Sequence, residues 1–280
     1  MAKPTIANVA ELAGVSQATV SRALRGATNV TEETRIKVQR AADQLNFTLS
    51  KSASALASGK TMRVILLVSG KLNEWFNSGV LQGVYEELAP VGYDVTPAFI
   101  TDRSELDRFF SQLPKSRNAD AIIISSFQLM PAMRDQLQAI DLPTVGVNVP
   151  AESGYFDASV SIDNSSAMTM AVRLLRSLGH TNIAFCSDYI PADMVYNTSQ
   201  RTQAFADAAQ TNAADGITFS LLTADAHDAP LSKSDLASQL TAKLLSLPER
   251  PTAVCVETDQ VAIALVKELR KQQLNVPEDI

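Results

Sequence analysis

Residues 5–24 read TIANVAELAGVSQATVSRAL and predict two short helices joined by a tight turn. Thr5 and Ser16 are residue types that cap helix N-termini, and Gly14 can end the first helix in a left-handed conformation without a Cβ clash. The predicted inward positions are Ile6, Val9, Ala10, Leu12 and Ala13 on the first helix and Val20 and Leu24 on the second. A third helix is predicted after Thr31. This arrangement is typical of the helix-turn-helix motif.

The outward face of the second helix carries side chains suited to reading bases. It consists of Gln17, Ala18, Ser21 and Arg22. Arg22 can pair with guanine O6 and N7, Gln17 can pair with adenine, and the Ala18 methyl group suits the thymine methyl. The hydroxyls of Ser16 and Thr19 suit phosphates. The alternative is an ordinary helical hairpin with a solvated polar face.

The chain has a basic N-terminal part and an acidic remainder. Residues 1–60 contain eight Lys or Arg and four Asp or Glu, a net charge of +4. Because the whole chain carries −6, residues 61–280 carry −10. This asymmetry is expected of a nucleic-acid-binding module attached to an acidic part that does not bind nucleic acid.

Residues 5–59 resemble the DNA-binding head of the lactose-repressor (LacI-type) family of bacterial transcription regulators. The matching residues are Thr5-Ile6, Val9-Ala10, Ala13–Ser16, Thr19–Arg22, Val30-Thr31, Thr34-Arg35, Val38, Leu45–Phe47, Ala53, Leu56 and Ala57. The resemblance continues, more weakly, to the end of the chain. It implies a homodimer that binds double-stranded operator DNA through Thr5, Ser16, Gln17, Ala18, Thr19, Ser21, Arg22 and Asn29.

Residues 50–60 form a Ser/Ala-rich segment, SKSASALASGK. In the resembling family the matching segment is a hinge helix that folds on operator DNA and inserts a leucine into the minor groove. Leu56 matches that leucine, and Ala53 matches the small residue beside it. So short a helix is unstable alone, and one large apolar side chain suits a wedge between base pairs. A flexible linker is the alternative. Leu49 stands where the family usually has proline, which leaves the hinge geometry open.

From Met62 onward, short apolar strands alternate with helices, a pattern typical of βαβ units in parallel sheets covered on both faces. A break near residues 149–163 predicts two such sheets, that is, a two-lobed body like that of periplasmic binding proteins. We therefore predict an α/β chain with four parts. They are a three-helix helix-turn-helix head (residues 1–49), a hinge helix or linker (50–60), a first lobe (61–162) and a second lobe (163–280).

Ligands of open α/β sheets bind beyond the carboxyl ends of the strands, so side chains there are candidate contacts. A Trp ring can pack on the C–H face of a sugar, while amide, carboxylate and guanidinium groups bridge its hydroxyls. The candidates are Trp75, Phe76, Ser125, Asn148, Asp163, Asn197, Arg201 and Thr258. All except Asp163 match effector-pocket positions of the resembling family. The alternatives are a core aromatic for Trp75, a surface ion pair for Arg201 and helix caps for the polar residues.

The sequence does not predict an enzyme. It lacks the G-x-S-x-G, P-loop, H-E-x-x-H and G-x-G-x-x-G motifs. Cys186 and Cys255 lack metal-ligand spacing and are expected to be buried, reduced thiols, so no metal or cofactor is predicted. The chain has no long apolar run and no export signal. We therefore expect a cytoplasmic location and no membrane partner.

Members of the resembling family continue past the position of Ile280 with a further strand that carries an acidic pocket residue. We therefore expect a C-terminally truncated member with an incomplete second lobe. The leading hypothesis is a sequence-specific transcription regulator, a repressor, controlled by a sugar-type effector between the lobes. One alternative is a relative that binds DNA without sensing an effector. The other is a periplasmic-type sugar-binding protein, against which the basic head argues.

Overall fold

Three helices form the N-terminal head of the computed structural model. The structure describes residues 4–48, 59–116, 118–149, 156–189, 195–226 and 231–280. The head helices are α1 (Ile6–Ala13), α2 (Gln17–Leu24) and α3 (Glu32–Gln44). Three residues singled out in the sequence lie outside the described residues: Leu49 and the predicted hinge residues Ala53 and Leu56.

Side chains cap the head helices as the sequence predicts. Thr5, Ser16 and Thr31 each accept a hydrogen bond from the backbone N–H three residues on. The Asn8 side chain in turn accepts from the Thr5 backbone N–H at 3.0 Å. Gly14 ends α1 with φ 65°, a left-handed conformation that glycine adopts without a steric penalty. These local contacts define the turn that sets the direction of α2.

The core of the head takes one fully buried valine from each helix, namely Val9, Val20 and Val38. Small alanines pack around them, so the three helices approach closely. The prediction that Leu12 faces this core is wrong, because its side chain is 51% exposed. At 3.6 residues per turn, Leu12 lies nearly opposite the buried Ala10 on the circumference of α1.

Strands and helices alternate after the head, as the sequence predicts. The elements are β1 (Arg63–Ser69), α4 (Trp75–Leu88), β2 (Asp94–Ile100), α5 (Arg103–Ser116), β3 (Ala121–Ser125), α6 (Pro131–Ala139), β4 (Thr144–Val147), β5 (Ala158–Val160), α7 (Asn164–Ser177), β6 (Asn182–Ser187), α8 (Ser199–Thr211), β7 (Thr218–Thr223), α9 (Lys233–Leu245), β8 (Ala253–Val256) and α10 (Asp259–Lys271).

The strands of the described residues form two sheets. One has five strands in the order β2-β1-β3-β4-β5, and the other has three in the order β7-β6-β8. Strand β3 is parallel to β4, β4 to β5, and β6 to both β7 and β8. The predicted α/β class with parallel sheets is therefore confirmed. The register pairs Ser125 with Val147 and Cys186 with Val256, so neighbouring strands end together at one edge.

The chain divides into two compact units. The smaller comprises Met1–Val64, Gly83–Thr96 and Arg117–Asp120, and the larger comprises Ile65–Gln82, Pro97–Ser116 and Ala121–Ile280. The predicted ranges of the head, hinge and lobes stay predictions.

Alternate residues of β6 point to opposite faces of the three-stranded sheet. Phe185 packs against Phe205 of α8 on one face, with ring centroids 5.1 Å apart. Cys186 packs with residues of α9 and α10 on the other face. Cys186 is fully buried, as expected, whereas Cys255 is only half-buried, and both are free thiols. Burial raises the pKa of Cys186 to about 12 and that of Cys255 to about 11, so neither is a reactive thiolate.

Candidate nucleic-acid interface and ligand cavity

The exposed face of α2 carries side chains predicted to contact DNA. Gln17, Ala18 and Arg22 are exposed, whereas Thr19 and Ser21 are half-buried. The Arg22 Nε–H donates to the Ala18 carbonyl oxygen at 3.3 Å, which uses one of the five N–H groups of the guanidinium. The planar end of the side chain therefore keeps donors for the O6 and N7 atoms of a guanine.

Three other predicted contacts lie at helix ends or in a turn. The Thr5 hydroxyl donates to Asn8 Oδ1 at 2.7 Å, and Ser16 Oγ lies 2.9 Å from Thr19 Oγ1. Asn29 is exposed between α2 and α3. Because the hydroxyls of Thr5 and Ser16 are engaged in capping, phosphate contacts at these helix starts would rely mainly on backbone N–H groups.

Acidic residues on the same helix offset the basic residues of α3 but not those at α2. On α3, Lys37 pairs with Glu33 at 2.7 Å and Arg35 pairs with Glu32 at 3.7 Å. These exposed pairs add little stability, but they offset basic charge on that helix. Helix α2 contains Arg22 and no acidic residue, and Arg25 follows it directly.

A cavity of about 610 Å³ lies in the larger unit at the carboxyl ends of strands from both sheets. Its volume is in the range of small-molecule sites. Five of the eight predicted effector contacts line it, namely Trp75, Phe76, Asn148, Arg201 and Thr258. The structure thus brings together side chains that are far apart in the sequence.

Three predicted contacts, Ser125, Asp163 and Asn197, are not among the lining residues. Ser125 ends β3 and is 0% exposed, and Asn197 is 1% exposed. Asp163 caps α7 by accepting a hydrogen bond from the Ser166 backbone N–H at 2.9 Å. In each case a neighbour along the chain lines the cavity instead: Ser126, Asn164 and Thr198.

Buried amides hold Arg201 in place. Arg201 Nε donates to Asn164 Oδ1 at 3.1 Å, and its Nη1 donates to the backbone carbonyl oxygen of Glu257. Asn164 Nδ2 donates to Asn197 Oδ1 at 2.9 Å, and Asn197 Nδ2 donates to Asn148 Oδ1. Such a satisfied network fixes the orientation of each member. Asn197 therefore has a supporting position behind two cavity residues.

Trp75 is presented at the cavity and is not a core aromatic. Its side chain is 62% exposed, and its ring packs edge-on against Phe76 with centroids 5.8 Å apart. The buried Asn77 side chain donates to the carbonyl oxygens of Ser69 at 2.8 Å and Lys71 at 3.0 Å. These bonds brace the loop between β1 and α4, and this bracing positions the start of α4.

Comparison with known proteins identifies two family domains in the chain. Residues 5–50 match the family model of bacterial regulatory proteins, lacI family, and residues 172–280 match that of the periplasmic binding protein-like domain. The chain is 30% identical over 281 residues to the HTH-type transcriptional repressor PurR of Vibrio vulnificus (strain CMCP6), covering 99% of this chain and 80% of that protein. The chain belongs to the LacI family.

Solved structures of LacI-family proteins share the fold. A lac repressor dimer bound to operator and the anti-inducer ONPF superposes with a TM-score of 0.81 at 22% identity, covering 100% of this chain and 81% of that one. The transcriptional regulator CelR in complex with cellobiose has a TM-score of 0.61 at 26% identity, covering 99% of this chain and 80% of that one. This LacI-family protein is a transcription regulator with a helix-turn-helix DNA-binding domain and an effector-binding domain.

Five charged residues of the cavity were not among the predicted contacts. They are Glu74, Asp188, Lys233, Glu257 and Asp259. Two of them were detectable by the same rule that selected Thr258. Asp188 directly follows β6 and Glu257 directly follows β8, so both stand at carboxyl ends of parallel strands.

Glu257 is the buried carboxyl group of the cavity, with only 7% of its surface exposed. Burial raises its pKa, and the nearby charge of Asp188 raises the pKa further. A hydrogen bond from the Asp188 backbone and the charges of Lys233 and Arg201 act in the opposite direction. The net effect is a pKa above the usual range of a glutamate, with burial as the largest cause.

Replacing Glu257 with glutamine is expected to raise stability at alkaline pH and not at acidic pH. A carboxyl whose pKa is higher in the folded state loses stability as pH rises through that value, because the buried charge is then unfavourable. Glutamine keeps the shape of the side chain and removes the charge. Urea unfolding across a pH series measures the difference, with exposed Glu249→Gln as the control. If Glu257→Gln changed the free energy of unfolding by the same amount at every pH, the raised pKa of Glu257 would be contradicted.

The described residues contain no helix that is long and apolar enough to cross a membrane. Within the same residues, no group of three His, Cys, Asp or Glu side chains could hold a metal ion.

Proposed function

We propose that this LacI-family regulator acts in the cytoplasm as a homodimeric repressor. It binds a near-palindromic operator, and a small sugar-type effector in the cavity controls its affinity for DNA. Two-fold symmetry would place one α2 in the major groove of each half-site. The observation that carries the effector proposal is the exposed Trp75 at a cavity lined by Asn148, Asn164 and Arg201.

The groups around the cavity favour a ligand rich in hydroxyls. Amide and guanidinium groups bridge neighbouring hydroxyls, and an exposed aromatic ring packs on the C–H face of a sugar. The cellobiose complex of the similar regulator CelR adds support for this ligand class.

The charges around the cavity favour a neutral or amine-bearing sugar over a phosphorylated one. Four acidic residues line it, and two basic ones oppose them, Arg201 and Lys233. Arg201 already donates to Asn164 and to the backbone at Glu257. A phosphate group would therefore meet a net negative surface with one of the two cations engaged.

The hinge is part of the same proposal. Residues 50–60 would order on operator DNA, with Leu56 as the wedge between base pairs and Ala53 as the small residue beside it. Leu56→Ala should then weaken operator binding and leave non-specific binding nearly unchanged. Equal losses on both duplexes would contradict the wedge.

Two linked measurements test the proposed function. Selection from random duplexes should yield a sequence with two-fold symmetry, and sedimentation should show two chains on it. The second measurement uses Trp75, the single tryptophan of the chain. Its emission should change on titration with a neutral or amino sugar and not with the matched sugar phosphate. A symmetric operator without any sugar response would favour the alternative regulator that does not sense an effector.

A further inference from the structure

One carboxylate holds the segment that follows the predicted hinge. Asp120 Oδ1 accepts hydrogen bonds from the Thr61 backbone N–H at 2.7 Å and from the Thr61 hydroxyl at 2.9 Å. Asp120 Oδ2 accepts from the Met62 backbone N–H at 2.9 Å. All three residues belong to the smaller unit, as does the head. Both oxygens of one side chain thus engage the two residues directly after residues 50–60.

Backbone geometry shows that this attachment holds an unfavourable conformation. Met62 has φ 52°, in the left-handed region that residues other than glycine, asparagine and aspartate rarely adopt. Such a conformation persists only where its surroundings hold it. Here the Asp94 N–H donates to the Met62 carbonyl at 2.9 Å, and the Asp120 N–H donates to the Arg63 carbonyl at 2.8 Å.

We propose that Asp120 is a positioning residue for operator binding, because its carboxylate holds Thr61 and Met62, the two residues that directly follow residues 50–60. This inference rests on the proposed operator binding and on the predicted hinge. A linker that must order on DNA loses less conformational entropy when one end is already fixed. Non-specific binding depends on phosphate contacts and does not need the linker to be ordered.

The chain contains a matched control site for this interaction. Asp157 Oδ2 accepts hydrogen bonds from the Thr144 backbone N–H at 2.7 Å and from the Thr144 hydroxyl at 2.9 Å. The chemistry is that of Asp120 with Thr61, but Thr144 begins β4 and is far from residues 50–60 in the sequence. Comparing the two sites separates the loss of a carboxylate–threonine contact from the loss of the hinge attachment.

The test compares Asp120→Ala, Asp120→Asn and Thr61→Val with Asp157→Ala and Thr144→Val in the full chain. Fluorescence anisotropy measures binding to the operator selected by the wild type and to a scrambled duplex of equal length, and urea unfolding measures stability. Asp120→Ala should weaken operator binding at least about tenfold while changing scrambled binding less than about twofold. Asp120→Asn and Thr61→Val should have operator affinities between those of the wild type and Asp120→Ala, because each keeps part of the contact. Asp157→Ala should lower stability and leave operator binding unchanged.

Equal operator affinity in Asp120→Ala and Asp157→Ala would overturn the proposal, as would equal losses on both duplexes. If Asp120→Ala does not fold, Thr61→Val decides, since it removes one hydroxyl and keeps both backbone bonds. The loss of operator affinity in that variant is then compared with its loss of affinity for the scrambled duplex. A wild-type chain that selects no operator would refute the proposed function instead, so the two failures are distinguishable.

Discussion

Replacing Arg22 with alanine should weaken operator binding by about 1–3 kcal/mol, or roughly 5- to 150-fold. Arg22 is exposed on α2, and its Nε–H donates to the Ala18 carbonyl oxygen. The planar guanidinium end can therefore bond two acceptors on one guanine. Without it the protein should also lose its preference at one base pair in each half-site. Anisotropy titrations against operators altered at each position would measure both effects.

Arg25→Ala is the matched control for Arg22. Arg25 lies one turn further along, just past the end of α2, and donates to the Ser21 carbonyl at 2.9 Å. At that position Arg25 is expected to contact a phosphate. Loss of this contact should weaken binding to all sequences alike and reduce the slope of log affinity against log salt concentration by about one. A sequence-specific defect in Arg25→Ala with none in Arg22→Ala would show that the reading face of α2 is wrongly assigned.

Replacing Arg201 with alanine should weaken effector binding by about 1.5–3 kcal/mol, or roughly 10- to 150-fold, with operator affinity in the absence of effector unchanged. The variant removes the charged donor of the cavity and leaves Asn164 Oδ1 and the Glu257 carbonyl without their partner. Calorimetry with the sugar found by Trp75 fluorescence measures the first quantity, and anisotropy with operator DNA measures the second.

Two further variants serve as controls for Arg201→Ala. Arg201→Lys keeps the charge but cannot donate in two directions from a planar group, so it should also bind effector weakly. Arg173→Ala removes an exposed arginine of α7 and should bind effector normally. Normal effector binding by Arg201→Ala would show that the arginine is a structural link between α7, α8 and β8 and not a ligand contact.

The head and the order of elements were predictable because their signals are local. Thr5, Ser16 and Thr31 cap helices through contacts three residues away, and Gly14 needs only its own backbone conformation. Short apolar runs alternating with helical segments predicted the strands and their order. The prediction for Leu12 was wrong because apolar residues lie on more than one side of the short helix α1. The sequence alone does not show which of these sides the neighbouring helices cover.

The cavity was predicted less completely because its lining depends on single-residue register. Ser125 ends β3 and is buried, whereas the adjacent Ser126 lies just past the strand with φ 74° and lines the cavity. Asn197 was selected as a contact but lies behind Asn148 and Asn164, a relation that only the tertiary fold creates. Glu257 directly follows β8, so its place at a strand end was detectable, but its burial and raised pKa arise only in the tertiary fold.

A ligand in the Trp75 cavity is expected to change the affinity of the head for its operator. Titrating a labelled operator complex with the sugar, while recording Trp75 emission and DNA anisotropy together, tests this directly. The two signals should change at the same sugar concentration, and Arg201→Ala should shift both to higher concentrations by the same factor. A sugar that changes Trp75 emission to saturation without altering operator affinity would contradict the claim.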